Sequence, residues 1–206
     1  MPTGRMEAFS DGVIAILITV MVLELPIPHG TSWAALHEAW PVLLCYVLSF
    51  VYVGIYWNNH HHMLQATDRV TGAILWANLH LLFWLSLIPF TTAWMGENHF
   101  APIPTASYGI VLLLAAIAYY VLQQAIIRDQ GSASLVAHAV GGDRKGRLSP
   151  LLYVTGVGLC FVNRWFGVAV YVVAALIWLI PDRRIERTVT HRSPVDNPPV
   201  ENPEVS

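Results

Sequence analysis

Charged side chains are scarce in this sequence. Only 12% of its 206 residues are Asp, Glu, Lys or Arg, whereas 55% are hydrophobic. A soluble domain of average composition carries about 25% charged residues, so this composition excludes an ordinary soluble fold. The formal net charge of −2 supplies no excess of positive charge, and nucleic acid is therefore not an expected partner. Eight tryptophans and a positive mean hydropathy indicate instead a chain that lies in a lipid bilayer.

Cysteine is also nearly absent. Cys45 and Cys160 stand alone in apolar segments, where a cysteine usually acts as a small buried hydrophobe, and they have no metal-ligand spacing. The run from His60 to His62 does not suggest a metal either, because successive helical residues point about 100° apart. The sequence contains no nucleophile with a base at a suitable spacing and no cofactor fingerprint. It therefore predicts neither a metal, nor a cofactor, nor an enzyme.

Roughly six apolar segments approach the ~20 residues that a bilayer core requires. The sequence thus predicts an all-α polytopic membrane protein, with a six-helix transmembrane domain over residues 1–181 and a polar, Pro-rich, disordered tail over 182–206. The last two segments are short, and the sequence leaves open whether they form a helical hairpin or one interrupted helix. The expected spans are 8–26, 35–57, 73–95, 105–127, 148–163 and 165–181.

Lys and Arg are confined to alternate loops. Arg5 precedes the first segment, Arg69 lies between the second and third, and basic clusters follow the fourth and the sixth. The intervening loops PIPHGTSW and GENHFAPIPT contain neither residue type, and only Arg164 breaks the pattern. Because basic residues are retained in the cytoplasm, this alternation predicts that both termini are cytoplasmic.

The first apolar segment carries a single stripe of side chains. With 100° per residue, Thr19, Val20 and Leu23 all fall within about 60° of Ile16. Any spanning helix presents such a stripe, so the periodicity alone does not predict a pore. The Thr19 hydroxyl also has an ordinary explanation, a hydrogen bond to a carbonyl one turn earlier. Asp11 falls about 140° from Ile16, on the other side of the helix.

Polar residues recur at the depth of Asp11 in the neighbouring segments. A carboxylate near the membrane edge is costly without a partner, although Ser10 or Asp11 could also cap the helix start. A buried polar group needs hydrogen-bonding partners, and a mutually satisfied layer would fix the helix positions. We therefore predict one polar layer, formed from Arg5, Ser10, Asp11, Trp57, Asn58, Asn59, His60, His61, Asn78 and His80.

The order RxxxFSD at positions 5–11, running directly into an apolar helix, resembles the signature of the transmembrane protein 175 family. These are endosomal/lysosomal and prokaryotic potassium channels. The stretch VLELP at 22–26 and the stretch NLHLLFWLSLIPFTTAWMGEN at 78–98 are similar to the same family. The pattern of six helices with cytoplasmic termini agrees along the whole chain.

This resemblance implies a homotetramer in the prokaryotic plasma membrane, with the first helices around a central pore and K⁺ as the permeant ion. It implies that Ile16 forms an apolar constriction, which Val20 and Leu23 continue. It assigns to Thr19 the hydroxyl layer that favours potassium. The motif residues that would brace the pore helix are Arg5, Phe9, Ser10 and Asp11.

A secondary transporter, coupled to protons or to another cation, is the alternative function. Asp11, His80 and the histidine run are chemically able to relay protons. Against a transporter, the sequence has no inverted repeat and no pair of interrupted helices at the midplane. Flux that saturates and reverses with a second ion gradient would identify a transporter, whereas a structural scaffold would show no flux.

Overall fold

The computed structural model describes residues 3–131, 134, 136–137 and 144–179, so the predicted tail 182–206 lies outside the described residues. Within these ranges the regular structure is helical throughout, as the all-α prediction required. The helices are α1 (Thr3–Leu23), α2 (Trp33–Glu38), α3 (Trp40–Gln65), α4 (Gly72–Ser86), α5 (Ile88–Glu97), α6 (Pro102–Gln130), α7 (Arg144–Cys160) and α8 (Arg164–Leu179).

Four helical stretches of the described chain are long and apolar enough to cross a membrane. They are α1, α3, the α4–α5 pair over Gly72–Glu97, and α6, with 21, 26, 26 and 29 residues. At about 1.5 Å per residue, each extends over 30 Å or more. The apolar part of α7 and the whole of α8 are shorter than these four. The first four predicted spans are therefore present as helices long and apolar enough to cross a membrane, while the full set of six stays a prediction.

Three prolines lie where helices begin. Pro41, Pro89 and Pro102 each occupy the first turn of α3, α5 and α6, where the missing N–H leaves no hydrogen bond unmade. Pro89 also divides the third span, because α4 ends at Ser86 and a turn at Leu87 leads into α5.

The two last helices form an antiparallel hairpin. Trp178 Nε1 donates a hydrogen bond to Ser149 Oγ at 2.7 Å, and Cys160 Sγ lies 3.6 Å from the Tyr171 hydroxyl. The connection is short, over residues 161–163. A Cβ atom on Gly167 would lie 2.2 Å from Cys160 Sγ, so glycine permits this close approach. Of the two alternatives that the sequence left open, the structure has two separate helices.

A buried group of tyrosines joins this hairpin to the rest of the chain. Tyr52 on α3 donates its hydroxyl to the Tyr171 carbonyl at 2.7 Å, and Ser49 donates to the Tyr108 hydroxyl at 3.0 Å. The Tyr171 ring lies against Gly109 of α6, where a Cβ would come within 1.9 Å of the hydroxyl oxygen. α1 packs on the other side of this core, against α3, α4 and α5.

Candidate pore-lining helix and its polar support

Helix α1 has one covered face and one open face. The covered side chains recur every three or four residues, as expected for a helix that packs on one side: Met6, Ser10, Ile14, Leu17 and Met21. The predicted stripe lies on the opposite, open face, where Ile16 is 61% and Leu23 is 81% exposed. Phe9, Thr19 and Val20 are exposed on this face as well. Within the described ranges, one chain thus leaves the whole predicted pore stripe uncovered.

The Thr19 hydroxyl donates a hydrogen bond to the Ile16 carbonyl at 2.8 Å. This is the local bond that the sequence analysis named as the ordinary explanation for Thr19. The hydroxyl proton is used in this bond. The lone pairs of Oγ1 remain able to bind a cation or to accept a hydrogen bond. An exposed oxygen of this kind is able to replace a water molecule around a cation.

A directed chain of hydrogen bonds lies on the covered face of α1. The Met6 carbonyl can only accept, so Ser10 Oγ donates to it at 2.8 Å. Asn78 Nδ2 donates to Ser10 Oγ at 2.9 Å, and Asn78 Oδ1 lies 2.7 Å from His60 Nε2. This order assigns the His60 proton to Nε2. Ser10, His60 and Asn78 are buried, so the chain links α1, α3 and α4 away from water.

A second, half-exposed cluster joins α1 to α3 beside this chain. Trp57 Nε1 donates to Asp11 Oδ1 at 3.1 Å, and the Trp57 ring stacks on His61 at 5.9 Å between centroids. His61 Nδ1 lies 2.7 Å from Glu7 Oε1. Glu7 was not among the residues that the sequence analysis selected. Its spacing of four residues from Asp11, which puts both carboxylates on one face, was the available signal.

Not every member of the predicted polar layer joins these two clusters. His80 is exposed on α4 and accepts from Trp84 Nε1 at 2.9 Å, so the structure places it outside the layer. The reason is angular, because Asn78 and His80 are two residues apart and therefore point about 200° apart on the helix. Asn59 donates to the Ile55 carbonyl of its own helix, and Arg5 lies exposed on α1. The layer therefore comprises Ser10, Asp11, Trp57, His60, His61 and Asn78, together with Glu7.

An exposed ion pair connects the α3–α4 linker to the end of α6. Arg69 Nε donates to Asp129 Oδ2 at 2.8 Å, and Arg69 Nη2 donates to the Asp129 carbonyl at 3.2 Å. The hydrogen bond to Asp129 and the charge of its carboxylate raise the pKa of Arg69 above its ordinary value. Because water screens such exposed pairs, we expect this contact to position the linker more than to stabilise the fold.

Known proteins resemble this chain over most of its length. Residues 5–89 match the family model described as endosomal/lysosomal potassium channel TMEM175. A Chryseobacterium protein named as a potassium channel is 53% identical over 189 residues, which cover 92% of this chain and 98% of that protein. The crystal structure of a lysosomal potassium-selective channel TMEM175 homolog from Chamaesiphon minutus shares 31% identity and a TM-score of 0.77, covering 86% of this chain and 96% of that one. A Gallus gallus protein named endosomal/lysosomal proton channel TMEM175 is 34% identical over 97 residues, 41% of this chain and 19% of that protein.

Proposed function

This chain belongs to the TMEM175 family of ion channels, and from that premise we propose that it is a potassium-selective channel whose pore is lined by α1. It acts as a multi-pass protein of the prokaryotic cell membrane, with six spans and both termini in the cytoplasm. The single observation that supports the pore assignment is the uncovered face of α1, which combines exposed apolar side chains with the exposed Thr19 hydroxyl.

The shape of this face favours assembly of several chains. One helix presents one narrow stripe, which cannot enclose a conduit by itself. Closed rotational symmetry around the stripe would seal a pore from identical chains. The covered side of α1 is already packed against α3, α4 and α5 of the same chain, which leaves the open side for the axis. This geometry does not fix the number of copies, but the family resemblance implies four, and we therefore propose a homotetramer with four copies of α1 around the pore.

We expect the purified protein to have the mass of four chains in detergent. The physical reason is that the exposed apolar face of α1 has no cover within the described part of a single chain. Native mass spectrometry, or light scattering corrected for bound detergent, measures the stoichiometry directly. A protein that stays monomeric across detergents and concentrations would contradict the proposed pore.

In the proposed pore, the α1 stripe forms two kinds of ring around an ion, apolar rings and one ring of hydroxyl oxygens. Ile16, Val20 and Leu23 offer no ligand, so rings of these side chains act by size and by excluding water. The Thr19 ring offers oxygen atoms, which replace part of the hydration shell. Potassium holds its water less tightly than sodium, and a site that replaces only part of the shell therefore favours potassium. From Ile16 to Leu23 the stripe rises about 10 Å along the helix.

Thr19→Val is expected to lower the preference for K⁺ over Na⁺ while conduction continues. Valine keeps the shape of threonine and removes the hydroxyl oxygen that we propose replaces water. The reversal potential of purified channels in planar bilayers, with K⁺ on one side and Na⁺ on the other, measures the change.

The matched control for this experiment is Thr91→Val in α5. The Thr91 hydroxyl, like that of Thr19, bonds only to carbonyls of its own helix region, at Leu87 and Ile88, but it is buried away from the open face. The reversal potential of the Thr91→Val channel should equal that of the wild type. If Thr19→Val keeps the wild-type reversal potential with its conductance intact, Thr19 has no part in selectivity.

The same bi-ionic recording of the wild type tests the function itself. A potassium-selective channel gives passive currents whose reversal potential lies far from zero, on the side that opposes K⁺ flow, and it needs no second gradient. A proton-coupled or cation-coupled transporter is the competing proposal, and it would give saturable flux that reverses with a second gradient. Among the described spans only the α4–α5 pair is interrupted, at Leu87, whereas transporters of that kind use a pair of interrupted helices.

A further inference from the structure

Three potential metal ligands converge between α1 and α3. Glu7, Asp11 and His61 each offer one ligand atom, and these atoms lie within 4.8 Å of one another. All three side chains are half-buried, so an ion has access from solvent. None of them lies on the exposed stripe of α1, and the proposed conduction path does not use them.

The donor set selects a class of ion. Two carboxylate oxygens with one imidazole nitrogen suit Zn²⁺ and similar first-row transition metals, because Mg²⁺ and Ca²⁺ favour sites made of oxygen alone. Three protein ligands also leave a fourth position for water in a tetrahedral Zn²⁺ site. Glu7 and Asp11 are one turn apart on α1, where like charges repel each other, and a divalent cation between them would remove that repulsion.

The His61 ring provides an independent indication. Its Nδ1 atom is buried and lies 2.7 Å from Glu7 Oε1, but the contact lacks the alignment of a hydrogen bond, and Nδ1 has no other hydrogen-bond partner in the described chain. The opposite ring nitrogen, Nε2, lies 2.8 Å from Gln65 Nε2, an amide nitrogen that can only donate a hydrogen bond. His61 Nε2 therefore accepts this bond and the proton of the neutral ring lies on Nδ1, facing Glu7, where a bound metal ion would replace it.

Two neighbouring groups hold the ligands in place. Trp57 Nε1 donates to Asp11 Oδ1, which leaves Oδ2 for a metal, and the Gln65 amide fixes the His61 ring. Metal-binding histidines and carboxylates usually have such supporting hydrogen bonds. Three consecutive histidines on one helix cannot share an ion, whereas here one of them meets two carboxylates from another helix.

We propose that Glu7, Asp11 and His61 bind a divalent transition-metal ion of the Zn²⁺ class. The ion bridges α1 and α3, so it fixes the N-terminal part of α1 to the body of the same chain. The site is local to one chain, and it does not depend on the conduction of potassium.

Zn²⁺ titration of the purified full-length protein, in competition with a chromogenic chelator, tests the site without any measurement of transport. The wild type should bind about one Zn²⁺ per chain, and Mg²⁺ in large excess should not compete. Glu7→Gln and His61→Gln remove one ligand each, the first with the side-chain shape kept and the second with a polar side chain of similar length. Each should weaken binding by about tenfold or more.

His62→Gln and Glu24→Gln are the matched controls, because they make the same chemical changes next to His61 and at the far end of α1. Both should bind Zn²⁺ as the wild type does. Wild-type protein that shows no saturable Zn²⁺ binding would overturn the proposal without any variant. Wild-type affinity in both Glu7→Gln and His61→Gln, or an equal loss in the controls, would also overturn it. Size-exclusion profiles identify any variant that misfolds. If one ligand variant misfolds, the Zn²⁺ affinity of the other one tests the site.

Discussion

Asn78→Leu is expected to destabilise the folded chain by about 1.5–4.5 kcal/mol. Asn78 is the middle member of the buried chain, donating to Ser10 Oγ and accepting from His60 Nε2. Leucine has a similar volume but leaves the buried His60 Nε2 proton without an acceptor, which costs about 1–3 kcal/mol. It also removes the bond that Ser10 Oγ accepts, worth about 0.5–1.5 kcal/mol, although Ser10 still donates to the Met6 carbonyl. Chemical or thermal unfolding of the purified protein in detergent measures the change, with the fraction of assembled protein as a second observable.

Asn59→Leu is the control for the leucine substitution at Asn78. The Asn59 side chain is partly buried on α3 and donates to the Ile55 carbonyl of its own helix. Losing that bond orphans no other side chain, so the free energy of unfolding should change by about 1 kcal/mol or less. Equal effects of Asn59→Leu and Asn78→Leu would show that the directed chain contributes no special stability.

Ile16→Ala is expected to raise single-channel conductance roughly severalfold for both K⁺ and Na⁺. In the proposed pore, the Ile16 ring offers no ligand and restricts the path by size and by excluding water. Alanine widens the ring and allows hydrated ions to pass. The reversal potential under bi-ionic conditions should move toward zero as the restriction weakens. Single-channel recording in planar bilayers measures both quantities.

Val22→Ala provides the comparison on the same helix. Val22 is 45% exposed but lies about 120° around α1 from Ile16, outside the stripe. Truncating it should leave the conductance unchanged. If Ile16→Ala also conducts as the wild type does, the narrowest point lies elsewhere, and Leu23 on the same stripe is the next position to test.

The long apolar helices could be predicted from the sequence because length and composition alone decide them. Their ends could not be placed as well. The predicted second span begins at residue 35, inside the short α2. A count of apolar residues does not detect helix starts, which here are marked by the Ser32 cap of α2 and by Pro41 in the first turn of α3. The predicted span also ends at residue 57, whereas α3 continues to Gln65 through the polar WNNHHH stretch. Polar residues lower hydropathy without breaking a helix.

Partners across helices were the least predictable part of the candidate site. The sequence predicts that Ser10, His60 and Asn78 lie at a similar depth in the membrane, from their positions in the spans. Their contacts, however, depend on how α1, α3 and α4 pack. His80 could have been excluded by its angle from Asn78 on the same helix. The approach of Glu7 to His61 could not have been predicted, because it depends on the rotation of α3 relative to α1.

The covered face of α1 has a consequence for the order in which the protein is built. The hydrogen-bond chain through Ser10, Asn78 and His60 and the contact of Asp11 with Trp57 lie entirely within one polypeptide. A newly inserted chain can therefore orient its first helix before it meets another copy, with lipid tails on the open face. If the proposed tetramer forms, its association then needs only lateral encounter and release of those lipids, so the yield of complete channels should depend on the density of chains in the membrane.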